Sequence, residues 1–370
     1  MQITVETSEF RSALNKILSV VDKRNTRPIL TYTQIETSEN EIKISATDLE
    51  VSAKIHIPAE IDGNSTFCVN AKNLFDILRE LPEGKIQLKL EDENHLNLEY
   101  QDIHYKLLVY KNDDFPHLTF GNINNEFLLS SKKVLEIINK TSYAVSNDET
   151  RLYLNGIFLQ EIDGKLRGVA TDGHRLALVD TELQTSNIDI LVNGIIVPRK
   201  GVQELKKIAE TYLQNDLKIS VDESFMYVSA EDSYFLSIRL IAREYPKYQA
   251  VIPNKTSYKI QVDRNLLMDA VKRIKIMSNE KSNGVRAKLT ENEFTISANH
   301  PSLGDAFEKI AIQYEGKEME IGFNAKYLIE TLSVLDEGEI VMEINNELSP
   351  VIIKSERIPN YLGIIMPLKL

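Results

Sequence analysis

The amino-acid sequence predicts an α+β fold made of three copies of one domain, each with two helices and an antiparallel sheet. Three observations carry that expectation. The run Ala170-Thr171-Asp172-Gly173-His174-Arg175-Leu176-Ala177-Leu178 has a twin upstream, Ile42-Lys43-Ile44-Ser45-Ala46-Thr47-Asp48. A weaker one lies downstream, Phe294-Thr295-Ile296-Ser297-Ala298-Asn299-His300, the alanines being roughly 125 residues apart. Other markers recur in the same order: a strand end entering a helix at Val5-Glu6-Thr7-Ser8, Leu129-Ser130-Ser131-Lys132 and Val262-Asp263-Arg264-Asn265, and a second helix start at Val69-Asn70-Ala71-Lys72, Val197-Pro198-Arg199-Lys200 and Phe323-Asn324-Ala325-Lys326. Within a copy, apolar residues switch from helical spacing to strict alternation, the mark of helices packed on half-buried strands.

Taken in order, Phe10, Leu14, Ile17, Leu18 and Val21 fall on one helical face, with Ser8 or Thr7 available as cap. Ile42-Lys43-Ile44-Ser45-Ala46 and Ile86-Gln87-Leu88-Lys89-Leu90 alternate as strands, and Asp62-Gly63-Asn64, Pro82-Glu83-Gly84 and Glu91-Asp92-Glu93-Asn94 punctuate them as turns. Each copy is expected to close on a strand ending in proline: Asp114-Phe115-Pro116, Glu244-Tyr245-Pro246 and Ile365-Met366-Pro367. The 370 residues then divide into domains at 1–121, 122–249 and 250–370.

Composition narrows the class. Apolar residues make up 42% and charged residues 26%, ordinary globular values, and no apolar run reaches the roughly 20 residues of a membrane-spanning helix. Met1-Gln2-Ile3-Thr4 enters a strand directly, without the features of a secretion signal, so a cytoplasmic protein without membrane association is expected. The single cysteine, Cys68, sits in the alternating run Thr66-Phe67-Cys68-Val69 and reads as a buried structural thiol. No glycine-rich phosphate loop is present, and the six histidines (His56, His95, His104, His117, His174, His300) make no zinc-ligand spacing, so no cofactor and no metal are implied. Asp172-Gly173-His174-Arg175 places a carboxylate two residues from an imidazole, which admits a hydrolase using Asp172 and His174. No nucleophile lies nearby, and the twin runs lack the following His and Arg.

Amphipathic helices cover one face of a sheet and turn their polar side outward. Three copies would align six helices bearing Lys16, Lys23, Arg24, Lys72, Lys132, Lys133, Arg199, Lys200, Lys206, Lys207, Lys272, Arg273 and Lys326. A net charge of −12 opposes nucleic-acid binding by the whole surface, but cations gathered on one concave face coexist with an acidic exterior.

The run from Ala170 to Ala177, together with Val197-Pro198-Arg199-Lys200-Gly201 and the terminal Ile364-Ile365-Met366-Pro367-Leu368-Lys369-Leu370, resembles the bacterial DNA polymerase III β subunits, the replicative sliding clamps. The resemblance spans the whole chain. It implies a head-to-tail homodimer closing into a six-domain ring, with helices lining the hole and sheets outside. It implies no catalysis, but a processivity factor that encircles double-stranded DNA without sequence preference and tethers the replicative DNA polymerase, the clamp loader and other clamp-binding-motif proteins.

Residue by residue, the resemblance places DNA-facing roles on Arg24, Tyr153, Arg199 and Lys200, and the dimer interface on Tyr105, Leu107, Ile276 and Met277. It places a partner-peptide groove on Leu154, Thr171, Gly173, His174, Arg175, Leu176, Pro246, Val251, Asn324, Tyr327, Ile364, Ile365, Met366, Pro367 and Leu368. An apolar floor there would gain energy from a buried Leu or Phe, while Asn324, His174 and Arg175 would hold the peptide's polar groups. The chain departs from the family pattern at Ala250, where arginine is frequent, near Ser282, where an aromatic is frequent, and at Lys369 in place of arginine. The first two departures imply a smaller and less cationic wall. The competing readings are the hydrolase and a three-domain scaffold that binds only proteins.

Overall fold

The computed structural model describes residues 1–21, 27–121, 126–183 and 188–369, the side chain of Asp189 apart. Each repeat runs strand, helix, three strands, then again strand, helix, three strands. The first repeat adds the short strand Glu60–Asp62 and the second adds one helical turn, Asp189–Val192. Each repeat is therefore itself two βαβββ halves, an inner duplication that the sequence motifs do not disclose.

The helices are Thr7–Ile17 and Ala71–Glu80, Ser131–Thr141 and Arg199–Thr211, and Arg264–Lys275 and Ala325–Ser333. Thr7–Ile17 buries Phe10, Ala13, Leu14 and Ile17, as the apolar spacing requires. Its expected side-chain cap does not form. The cap position is Glu6, with no side-chain hydrogen bond, because Thr7 is already helical and its hydroxyl donates to the Gly84 carbonyl at 2.8 Å. Later helices do carry caps: Asn70 accepts from the Asn73 N–H, and Asp263 accepts from those of Asn265 and Leu266. The expected proline-ended strands are also corrected. Phe115-Pro116 and Tyr245-Pro246 lie in loops and only Met366-Pro367 directly follows a strand, consistent with a residue that has no N–H to give a ladder.

The chain forms two compact units, residues 1–135 with 200–240, and residues 136–199 with 241–370. They cut across the three repeats because strands pair over repeat boundaries. In the first unit a 13-stranded sheet joins Val51–Pro58 of the first repeat to Tyr234–Arg239 of the second, with Leu236 opposite Ala53. In the second unit an eight-stranded sheet joins Arg175–Glu182 of the second repeat to Ile358–Ile365 of the third, with Leu176 opposite Ile364. A separate four-stranded sheet orders Gly304–Ala311, Glu293–His300, Gly284–Thr290 and Met319–Asn324. Among the described residues no helix is long and apolar enough to cross a membrane.

Candidate functional site

The turn that opened the sequence reading is built by its own side chains. Asp172 Oδ1 accepts the N–H groups of His174 at 2.9 Å and Arg175 at 3.1 Å. Thr171 Oγ1 donates to the Arg175 carbonyl at 2.6 Å and accepts from Gly173 N–H at 3.1 Å. Gly173 has φ +90°, where a side chain is strained, and an added Cβ would lie 3.1 Å from Arg151 Nη1. The first repeat makes the same turn. There Asp48 accepts from Glu50 and Val51, Thr47 bonds Val51 and Leu49, and Leu49 sits at φ +79°.

This geometry removes the hydrolase reading. Both oxygens of Asp172 are engaged, Oδ1 by backbone and Oδ2 by Arg175 Nε at 3.1 Å. The exposed His174 ring instead lies near-parallel to Tyr327, 6.3 Å between centroids. An aspartate spent on a turn does not orient an imidazole.

Arg175 corrects a second expectation. Only 7% exposed, its guanidinium meets Asp172, Glu330 and the Tyr143 carbonyl, and lies between the rings of Tyr143 and Tyr327, 5.2 and 4.4 Å from their centroids. The charge of this buried cation is matched by two carboxylates and two aromatic faces, so it offers a peptide little net attraction. Below it the hydroxyls of Tyr143 and Tyr361 meet at 2.7 Å, and burial pushes both phenols above their usual range.

Beside the turn lies a cavity of about 200 Å³. Leu154, Leu176, Ile364 and Tyr248 form its buried apolar lining, and Tyr153, Thr171, Gly173, Pro246, Val251 and Met366 line it further. Phe158 stacks on Tyr245 behind it, ring centroids 4.6 Å apart. Arg175 and Lys247 complete the lining. The structure thus brings together nine of the expected groove residues: Leu154, Thr171, Gly173, Arg175, Leu176, Pro246, Val251, Ile364 and Met366. It also brings in Tyr153, expected to face DNA, and Lys247 and Tyr248, which the sequence reading did not name.

Six expected groove residues lie outside the cavity. Ile365 is fully buried on the opposite face of its strand from Ile364, the face on which Gly363 meets Thr331. Met366 N–H bonds the His174 carbonyl at 2.8 Å, after which the chain passes Pro367 and Leu368 N–H bonds Gly322 at 2.8 Å, so the tail leaves the cavity along another strand. Asn324 caps the helix Ala325–Ser333 by accepting from Lys326 and Tyr327 N–H. Tyr327 and His174 form their own stacked, partly exposed pair.

Of the residues expected to meet DNA, Arg24 lies outside the described residues. Arg199 is exposed and donates to the Ser146 carbonyl at 2.8 Å, which leaves its charge unneutralised by that bond. Lys200 pairs with Asp48 in the first-repeat turn. Several helix lysines are likewise paired: Lys72 with Asp76, Lys207 with the buried Glu204, and Lys272 with Asp269. The cationic surface is therefore more compensated than residue counting suggests. Cys68 is a buried strand residue whose thiol burial pushes up to about 12.

Two strand edges complete the picture. Over residues 103–108 the strand Ile103–Lys111 pairs only with His95–Tyr100, and its other edge has no partner among the described residues. Tyr105 and Leu107 are half-buried there, while Leu108 is 67% exposed. Among the described residues the strand Gly304–Ala311 pairs only with Glu293–His300, and it shows the same order of exposed and half-buried positions. Phe307 is 66% exposed on it and Ile276 is 73% exposed; Met277 Cε reaches 3.9 Å from where a Cβ on Gly304 would be. The resemblance named Ile276 and Met277 but not Leu108 or Phe307, whose signal in the sequence was an apolar residue at an outward position of an alternating strand.

The DNA polymerase III beta subunit matches domain by domain, its N-terminal domain over residues 1–119, its central domain over 128–247 and its C-terminal domain over 249–369. The chain belongs to the DNA polymerase III β subunit family. The beta sliding clamp of Escherichia coli K12 is 31% identical over 373 residues, covering all of both chains. The DNA polymerase III subunit beta of Pseudomonas aeruginosa superposes with TM-score 0.95 at 28% identity, and the sliding clamp of Bartonella birtlesii bound to griselimycin with TM-score 0.94 at 32%, each covering 100% of both chains. Members of this family are non-catalytic processivity factors of DNA polymerase III, and the three-domain α+β architecture is theirs.

Proposed function

We propose that two copies of this chain close head to tail into a ring around duplex DNA, in the cytoplasm, and that the cavity beside Gly173 holds the peptide that tethers polymerase. The domains of this reading are the proposed 1–121, 122–249 and 250–370. The observation that carries the ring is the pair of open, apolar strand edges, 103–108 and Gly304–Ala311. An unpaired edge with exposed Leu108 or Phe307 invites strand pairing, and pairing the two edges in a C2 dimer buries both sets at once. Tyr105, Leu107, Ile276 and Met277 lie at or beside those edges.

Once closed, such a ring need not grip DNA to stay on it. Arg199 and Lys200, with Arg24, would meet phosphates through screened contacts that favour no register, so the ring slides. The cavity suits an apolar anchor: burying one Leu side chain against Leu154, Leu176 and Ile364 is worth about 1.5–3 kcal/mol. The experiment is to load the protein onto nicked circular plasmid with a clamp loader and then linearise. A topological tether is lost from linear ends; retention on linear DNA would mark an ordinary DNA binder, and failure to load at all would favour the scaffold reading.

A further inference from the structure

Resting on the groove reading, we propose that Lys247 sets its specificity, so that it selects an extended peptide with a carboxylate beside its apolar anchor. Among the described residues two cations line the cavity and no carboxylate does. Their positions differ in kind. The Arg175 charge is buried and matched by Asp172 and Glu330. Lys247 is exposed, in the segment between Pro246 and the turn Tyr248–Val251, and its ammonium makes no ion pair or hydrogen bond with any described residue. It is therefore the one uncompensated charge that the described lining presents to an incoming chain.

That segment is also where the chain carries Ala250, the departure that implied a less cationic wall. A cation is present after all, three residues earlier and directly on the lining. A ligand that buries a leucine against Leu176 and Ile364 brings its neighbouring residues to the rim, where Pro246, Lys247 and Val251 are exposed. A carboxylate there gains attraction in a partly desolvated setting, and it meets no opposing acid from the lining. A rim charge acts modestly and is weakened by salt, so the preference should be several-fold, not absolute.

The test uses two fluorescent pentapeptides with the same leucine anchor, one carrying Asp and the other Asn beside it, titrated into the full dimer by polarisation. At about 50 mM salt the wild type should prefer Asp by about threefold, and at about 500 mM the two should converge. Lys247→Ala should abolish the preference by weakening Asp-peptide binding about threefold more than Asn-peptide binding, and Lys247→Glu should reverse it. An Asp preference that survives in Lys247→Ala would overturn the assignment. Binding of neither peptide to the wild type would overturn the groove itself, a distinguishable result.

Discussion

Replacing Phe307 by alanine is the sharpest probe of the subunit edge. A phenylalanine side chain carries on the order of 200 Å² of surface, and 66% exposure leaves roughly 130 Å² open in the single chain. At about 25 cal/mol per Å², covering that area is worth roughly 3 kcal/mol, of which alanine retains part, so the loss is about 2 kcal/mol per interface. That is about thirtyfold in the dimerisation constant, and a two-fold ring contains the interface twice, giving on the order of a thousandfold in all. Because the side chain lies outside the core, the monomer should fold as before and its far-UV circular dichroism should not change. Mass photometry or sedimentation velocity from nanomolar to micromolar protein reads the shift directly. A Phe307→Ala protein that dimerises with wild-type affinity would refute the pairing of these edges.

Deleting residues 366–370 removes Met366 from the cavity wall, so binding of a leucine-anchored peptide measured by polarisation should weaken on the order of thirtyfold while dimer mass persists. Gly173→Leu should destabilise by about 1 kcal/mol or more and distort the groove, whereas Leu49→Gly in the twin turn should be neutral or stabilising, since both positions hold positive φ; urea unfolding midpoints compare the two. The Cys68 thiol, raised to about 12 when folded and near 8.5 when unfolded, keeps its proton longer in the native state. Its contribution is therefore complete below about pH 8.5 and is lost as pH rises from there toward 12, so Cys68→Ala should unfold with a shallower alkaline decline than wild type.

The repeat was legible in the sequence because helix and strand periods are local: Phe10, Leu14 and Ile17 take one face whatever surrounds them, and Ile42, Ile44 and Ala46 take one side of a strand. The apolar composition of the groove was legible too, through the run ending at Leu176 and the terminal Ile364-Ile365-Met366. What the sequence left open is which groups remain free once the chain is folded. Arg175 resembles a free ligand-binding cation until Glu330, far along the chain, arrives to neutralise it, and nothing local to Lys200 announces that Asp48 pairs with it. Ile365 and Ile364 are adjacent and equally apolar, and only the register with Arg175–Glu182 sends one to the cavity and the other to the opposite face. The open edges at 103–108 and Gly304–Ala311 depend on which strands find partners. Pairing and charge compensation join residues distant in the chain, so they are decided by tertiary structure, while periodicity is decided by the residues themselves.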